Sequence, residues 1–350
     1  MTATERAPVI ETDAVVIGAG PVGLFQVFEL GLLGIHAHVI DSLPQAGGQC
    51  VALYADKPIY DIPGTPVCTG RELVARLLTQ IAPFNASFHL DQQVDSVARQ
   101  DDRRFLVGTS KGTRLLAKLV FIAGGVGSFQ PRRLKIDGIA RHEGTQLFYS
   151  APELASLADK RVVVIGDGDA ALDCATALAQ QRIDVTLMHR RDEFKAAPEL
   201  IERMQSLRSA GQLRFIAAQP SGIAQQGDLL TALQVLGADG QTVSLPLDAL
   251  IVLTGLSPKL GPIADWGLAL ERKQLVVDTA TFETSTPGIF AVGDVNTYAG
   301  KKKLILCGFH EAALAAFGAA ARVFPGEPVH LEYTTTSPRL HRALGVSPGS

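Results

Sequence analysis

Close cysteine pairs are missing from this chain. Its four cysteines, Cys50, Cys68, Cys174 and Cys307, stand far apart with no C-x-x-C, which excludes a local dithiol or a zinc knuckle on spacing. An excess of one charge is missing too, and a formal net charge of −3 gives nucleic acid or a membrane surface nothing to recognise in bulk. No apolar run reaches the length of a membrane span, and the opening MTATERAPVIETDAVVIG lacks the basic-then-apolar build of a signal peptide, so a soluble cytoplasmic protein is expected. The most aliphatic segment, 308 to 324, is interrupted by His310, Glu311 and Arg322 and reads as a buried helix. The eight histidines are scattered, and neither a metal-ligand set nor a Ser-His-Asp arrangement emerges.

What the chain does have is length and glycine. At 350 residues, with 47% hydrophobic residues and 34 glycines, it has the balance of a compact α/β enzyme with two domains. Residues 13 to 41, DAVVIGAGPVGLFQVFELGLLGIHAHVID, read as strand, tight glycine turn, helix and second strand. Residues 161 to 189, RVVVIGDGDAALDCATALAQQRIDVTLMH, repeat that pattern 148 positions later and align Gly18 with Gly166, Gly20 with Gly168, Gly23 with Ala171 and Asp41 with His189. A β-meander follows each unit, at 94 to 125 and roughly 229 to 255, and each ends in an apolar strand running into small residues where a chain would cross between domains. The expected architecture is α/β, with two Rossmann-like dinucleotide-binding domains in three ββα layers and the second inserted in the first. The expected boundaries are 1–122, 123–253 and 254–350, the first and last parts forming one domain.

In G-x-G-x-x-G after a strand, the glycines allow a sharp turn and close approach of a pyrophosphate, which helix N–H groups then hold. Gly18, Gly20 and Gly23 make one such turn, and Gly166 and Gly168 make the other. The end of the second strand separates their clients. Asp41 can accept hydrogen bonds from an adenosine ribose and would repel a 2′-phosphate. His189 is followed by Arg190, Arg191 and Lys195, and guanidinium forks suit a phosphate dianion. FAD in the first site and NADPH in the second fit this pair.

Together these features resemble the flavoproteins of the thioredoxin reductase type. DSLPQAGGQCVALYADKPIYDIPG (41 to 64), TPGIFAVGDV (286 to 295) and EYTTTSPRLHRALGV (332 to 346) make the resemblance closest to the ferredoxin (flavodoxin)-NADP reductases of that type. The resemblance implies one FAD per subunit and a homodimer. It implies that Asp41 and Gln49 hold the adenosine and ribityl side of FAD, that Tyr54 stacks on the isoalloxazine, and that Val94 and Phe129 line the adenine and flavin regions. Asp294 would bind the ribityl or pyrophosphate portion, Tyr333 would cover the other flavin face, and Thr335 would hydrogen-bond near the ring.

The cysteines choose among the chemistries of such flavoproteins. A thioredoxin reductase carries C-x-x-C just before its second glycine turn, and residues 142 to 161 have none. Cys50 stands at the first position of the C-x-x-x-x-C of glutathione-reductase-like enzymes, yet the second position is Ala55. Electrons are therefore expected to leave the flavin directly for a ferredoxin or flavodoxin, with no catalytic side chain and no metal. Lys301, Lys302 and Lys303 form a run that could dock an acidic carrier. The competing readings are an NADPH-dependent flavin reductase, a disulfide reductase using a partner's thiols, and a non-enzymatic FAD- and NADPH-sensing scaffold.

Overall fold

The computed structural model describes residues 8–237, 239–326 and 328–346. The chain forms two units, Met1–Ser128 with Lys259–Ser350, and Phe129–Pro258. Residues 123 to 128 stay with the first unit because its strand ends there: the Ala123 N–H donates to the Ile17 carbonyl at 2.8 Å. The helices are α1 (Pro21–Leu32), α2 (Gly48–Ala52), α3 (Gly70–Ile81), α4 (Asp169–Gln180), α5 (Pro198–Ser209), α6 (Ile305–Val323) and α7 (Pro338–Ala343). Among the described residues no helix is long and apolar enough to cross a membrane.

The first unit is built on parallel strands in the order Ser87–His89, Ala37–Ile40, Val9–Ile17 and Arg114–Ile122, and the last of these also pairs in parallel with Ile289–Ala291. The N-terminal half of Arg114–Ile122 instead pairs antiparallel with Phe105–Thr109, which pairs with Val94–Arg99. One strand thus belongs to the parallel sheet and to the meander that covers it. Register decides where function can sit. Ile17 lies opposite Ile40 and Ile122, and Ile122 opposite Ala291, so all four strands end in one row. Gly18, Asp41, Ala123 and the Gly293–Asp294 turn follow from that row, at the carboxyl edge where open α/β sheets bind ligands.

Apolar spacing and capping explain the helices that flank this edge. α3 buries Leu73, Val74, Leu77 and Ile81 on one face, and a reciprocal cap between Thr69 and Glu72 starts it. α1 lies against α3 and α6, and Phe121 stacks on Phe290 at 5.0 Å between centroids, fixing the late strand to the early one.

The second unit repeats the plan. Its strand order is Leu147–Phe148, Ala249–Val252, Arg161–Ile165, Asp184–His189 and Arg214–Gln226, continued antiparallel by Leu229–Gly237 and Thr242–Pro246. Ile165 lies opposite Met188 and Val252, which again brings a glycine turn and the end of a second strand to one edge.

Candidate cofactor sites

In the first unit, Gly18 turns the chain at φ +112°, and a Cβ there would lie 2.5 Å from the Ala123 carbonyl oxygen. A Cβ on Gly23 would lie 1.9 Å from the Gly18 carbonyl oxygen, so α1 can approach the strand only through a glycine. Gly20 is different. The nearest atom to its would-be Cβ is the Gly48 Cα, 4.0 Å away, so protein packing does not require glycine at this position. Gly48 faces it so closely that a Cβ there would lie 3.0 Å from the Gly20 Cα, and such bare backbone at a helix N-terminus suits a pyrophosphate.

Asp41 closes one side of this cradle. One of its oxygens accepts from the Ala19 N–H at 2.6 Å and the other from the Leu43 N–H at 2.8 Å. Burial pushes its carboxyl above the usual range, and these backbone donors oppose the shift. The Gln49 amide lies beside Gly125, where a Cβ would come within 3.1 Å of its nitrogen. Cys50 is 2% exposed, and its Sγ sits 3.4 Å from the Tyr54 hydroxyl. Burial raises both groups, and the Asp294 charge adds to each shift, so Cys50, Tyr54 and Asp294 share one locality. Asp294 is half-buried, and burial raises its carboxyl against the pull of Lys301 and Lys303.

Of the remaining residues implied by resemblance, Val94 lies two positions after Gln92, whose N–H donates to the Asp41 carbonyl at 3.0 Å. Val94 itself is 4% exposed and belongs to the apolar core. Phe129 lies on the strand Ser128–Pro131, but its side chain is outside the described residues. Tyr333 is 65% exposed and Thr335 is exposed. The tail carrying them is anchored by Leu340, buried in the fold, and by Arg339, which donates to the Leu32 carbonyl at 3.0 Å. That is the end of α1 opposite the glycine turn. Among the described residues no hydrogen bond or aromatic pair joins Tyr333 or Thr335 to Tyr54 or Asp294.

The second unit reproduces the cradle with one change. A Cβ on Gly166 would lie 2.5 Å from the Leu253 carbonyl oxygen and 2.6 Å from the Ala171 Cβ, while Gly168 meets nothing closer than the Lys195 carbonyl oxygen at 3.9 Å. The segment after the second strand straps across this turn. Lys195 N–H donates to the Asp167 carbonyl at 2.7 Å, and Ala197 N–H donates to the Asp169 carboxylate at 2.7 Å. Arg190 and Arg191 are exposed and make no ion pair among the described residues, and the neighbouring Asp192 is taken by Arg208 at 2.8 Å. The two guanidiniums are therefore available to an anion.

Asp167 went unnoticed in the sequence because it occupies a variable position of the motif. Its carboxylate lies 3.6 Å from the His189 ring and 3.8 Å from Lys195, whose ammonium offsets a negative charge beside the phosphate cradle. The basic run after Asp294 also needs correction. Lys301 is not part of a surface patch, because its side chain is 7% exposed and paired with Glu311. Only Lys302 and Lys303 are exposed. Among the described residues no cluster of His, Cys, Asp and Glu could hold a metal ion.

A sequence model of pyridine nucleotide-disulphide oxidoreductases matches residues 12–315. The chain is 61% identical over 341 residues to a ferredoxin–NADP reductase of Albidiferax ferrireducens, with 96% of each chain covered. It is 58% identical over 349 residues to a ferredoxin–NADP reductase of Methylibium petroleiphilum, covering 99% of this chain and 95% of that one. Among solved structures, the bacillithiol disulfide reductase of Staphylococcus aureus aligns with a TM-score of 0.62 at 16% identity, over 90% of this chain and 99% of that one. A thioredoxin reductase of T. acidophilum aligns with a TM-score of 0.57 at 22% identity, over 90% and 99%. These two likenesses establish the thioredoxin reductase-like fold.

Proposed function

Because the chain belongs to the pyridine nucleotide-disulphide oxidoreductase family, we propose that it uses that fold without a disulfide, passing electrons between NADPH and ferredoxin through a flavin. The flavin is FAD, held one per subunit in the first unit, and flavodoxin is an alternative carrier. The glycine cradle, the acid at the end of the second strand and the Gly-Asp turn fit FAD. The second cradle with two unpaired arginines fits NADPH.

The observation that carries the reading is the state of the cysteines. Cys50, the residue placed where a dithiol enzyme keeps a redox cysteine, is buried and hydrogen-bonded to Tyr54, and all four thiols are free. No disulfide joins them, so the fold holds no formed dithiol relay for the electrons to pass through. When bound, FAD supplies the conversion between a hydride and single electrons. The protein's part is to bind and orient. Gly20 and Gly48 present bare backbone to the pyrophosphate, Asp41 holds the ribose, Tyr54 offers an aromatic face, and Arg190 with Arg191 selects the phosphorylated nucleotide. The resemblance also supports a cytoplasmic homodimer.

Purified protein should be yellow and should bleach anaerobically with NADPH faster than with NADH. Ferredoxin-dependent cytochrome reduction should then exceed reduction of small disulfides in the same preparation. Colourless protein unable to take up FAD, or disulfide reduction without ferredoxin turnover, sinks the reading. Light scattering on the holoprotein tests the dimer.

A further inference from the structure

A knot of buried polar groups lies under the Gly-Asp turn, and cofactor contacts do not account for it. Glu311, on α6, is 0% exposed. Its carboxylate accepts from the Gly293 N–H at 2.7 Å, from Asn296 Nδ2 at 2.8 Å and from the Tyr298 hydroxyl at 2.9 Å. Its counter-ion is Lys301, whose ammonium also donates to the Gly293 carbonyl at 2.9 Å. The two members of one ion pair therefore hold the two backbone polar groups of a single glycine.

Stability is a poor explanation for this arrangement. Desolvating two charges costs much of what their attraction returns, and apolar side chains of similar volume often serve a fold as well or better. Apolar side chains cannot, however, grip a peptide at its donor and its acceptor. Gly293 has φ +79° and no side chain of its own to lock the turn, so hydrogen bonds must set its direction. The next residue is Asp294, the carboxylate expected at the ribityl or pyrophosphate portion of FAD.

We infer that Lys301 and Glu311 are a positioning pair: by clamping Gly293 at both its N–H and its C=O they aim Asp294 into the FAD site and so set the affinity for FAD. Neither residue touches the cofactor in this scheme; each acts through Asp294. The inference rests on the assignment of FAD to the first unit.

The test is FAD titration of apoprotein prepared from full-length chain, followed by flavin fluorescence. Lys301→Met alone strands a buried carboxylate, so the charge-neutral Lys301→Met/Glu311→Gln variant carries the experiment. It should bind FAD about tenfold more weakly, the scale of losing one charge-assisted hydrogen bond and weakening another. Denaturant unfolding of its apoprotein should stay close to that of the parent. In an Asp294→Ala background the same two substitutions should cost no further affinity, because the residue they aim is gone. Equal losses in both backgrounds would overturn the inference. So would a drop in apoprotein stability with FAD affinity intact, which would make the pair a staple only. Parent protein that takes up no FAD defeats the cofactor assignment itself, a result distinct from uptake with additive losses.

Discussion

Gly18 presents its carbonyl oxygen 1.9 Å from where the first carbon of any side chain on Gly23 would lie. The first cradle is therefore closed to Ala at that position, whereas the second carries Ala171 there. Gly23→Ala should destabilise the first unit by about 1–3 kcal/mol through overpacking and weaken FAD uptake. Ala171→Gly should cost only about 0.5–1 kcal/mol, the helix penalty of glycine. Thermal unfolding with and without added FAD checks both, and equal costs would contradict the difference between the turns.

Arg190 and Arg191 are the unpaired cations beside the second turn. Replacing both with alanine should raise the KM for NADPH about 10- to 100-fold, the range expected for losing charge-assisted contacts to a phosphate. The KM for NADH should barely move. Parallel losses for the two nucleotides would remove the arginines from phosphate recognition.

Burial pushes the Cys174 thiol up to about 11, with the Asp173 charge adding to the shift. At mildly alkaline pH it stays protonated and out of reach, whereas Cys307 is partly exposed. An aromatic disulfide reagent should therefore modify Cys307 in native protein and reach Cys174 only on unfolding. Cys174→Ala should leave ferredoxin turnover within about twofold of the parent, as a small buried hydrophobe would. Abolished turnover would restore a redox role for this thiol.

His38, in the strand Ala37–Ile40, stacks on His89, the last residue of the neighbouring strand, with ring nitrogens 2.9 Å apart. Burial lowers His38, and the charges of His89 and His36 lower it further, while burial alone lowers His89. The unfolded chain takes up protons at its ordinary value of 6.5 before the folded chain does. Stability from this pair is complete above that value and is lost as the pH falls through the lower folded values. The denaturant midpoint should fall as the pH drops below 6.5, and less steeply in His89→Gln. Identical slopes would show that other groups govern the acid limb.

Lys302 and Lys303 are the exposed remainder of the basic run, close enough to Asp294 for Lys303 to influence its carboxyl. Lys302→Gln/Lys303→Gln should raise the KM for ferredoxin and flatten its dependence on salt, while NADPH-driven flavin bleaching stays unchanged. An unaltered salt profile would place carrier docking elsewhere.

The repeated architecture was legible in the sequence because glycine turns leave a spaced record. The alignment of Gly18 with Gly166 and Gly20 with Gly168 corresponds in the structure to two cradles of matching geometry. What stayed hidden depends on contacts between distant parts of the chain. Lys301 looked like its two neighbours because nothing local shows that one lysine of three turns inward to a glutamate on the next helix. Glu311 read as an interruption of an apolar segment, although it is the acceptor around which the Gly-Asp turn is organised. The tail motif named Tyr333 and Thr335 but gave no path for them, since a short segment with one buried leucine can dock wherever a helix end offers a free carbonyl.

The strap over the second cradle makes length, as well as charge, a constraint on coenzyme choice. Lys195 is bonded through its backbone to Asp167, so the arginines hang from a span fixed at both ends, by the strand ending at His189 and by the turn itself. Redesigning the protein for the unphosphorylated coenzyme would have to exchange side chains within that span and preserve its residue count. A loop one residue longer or shorter would pull on the pyrophosphate cradle, and both coenzymes would suffer alike.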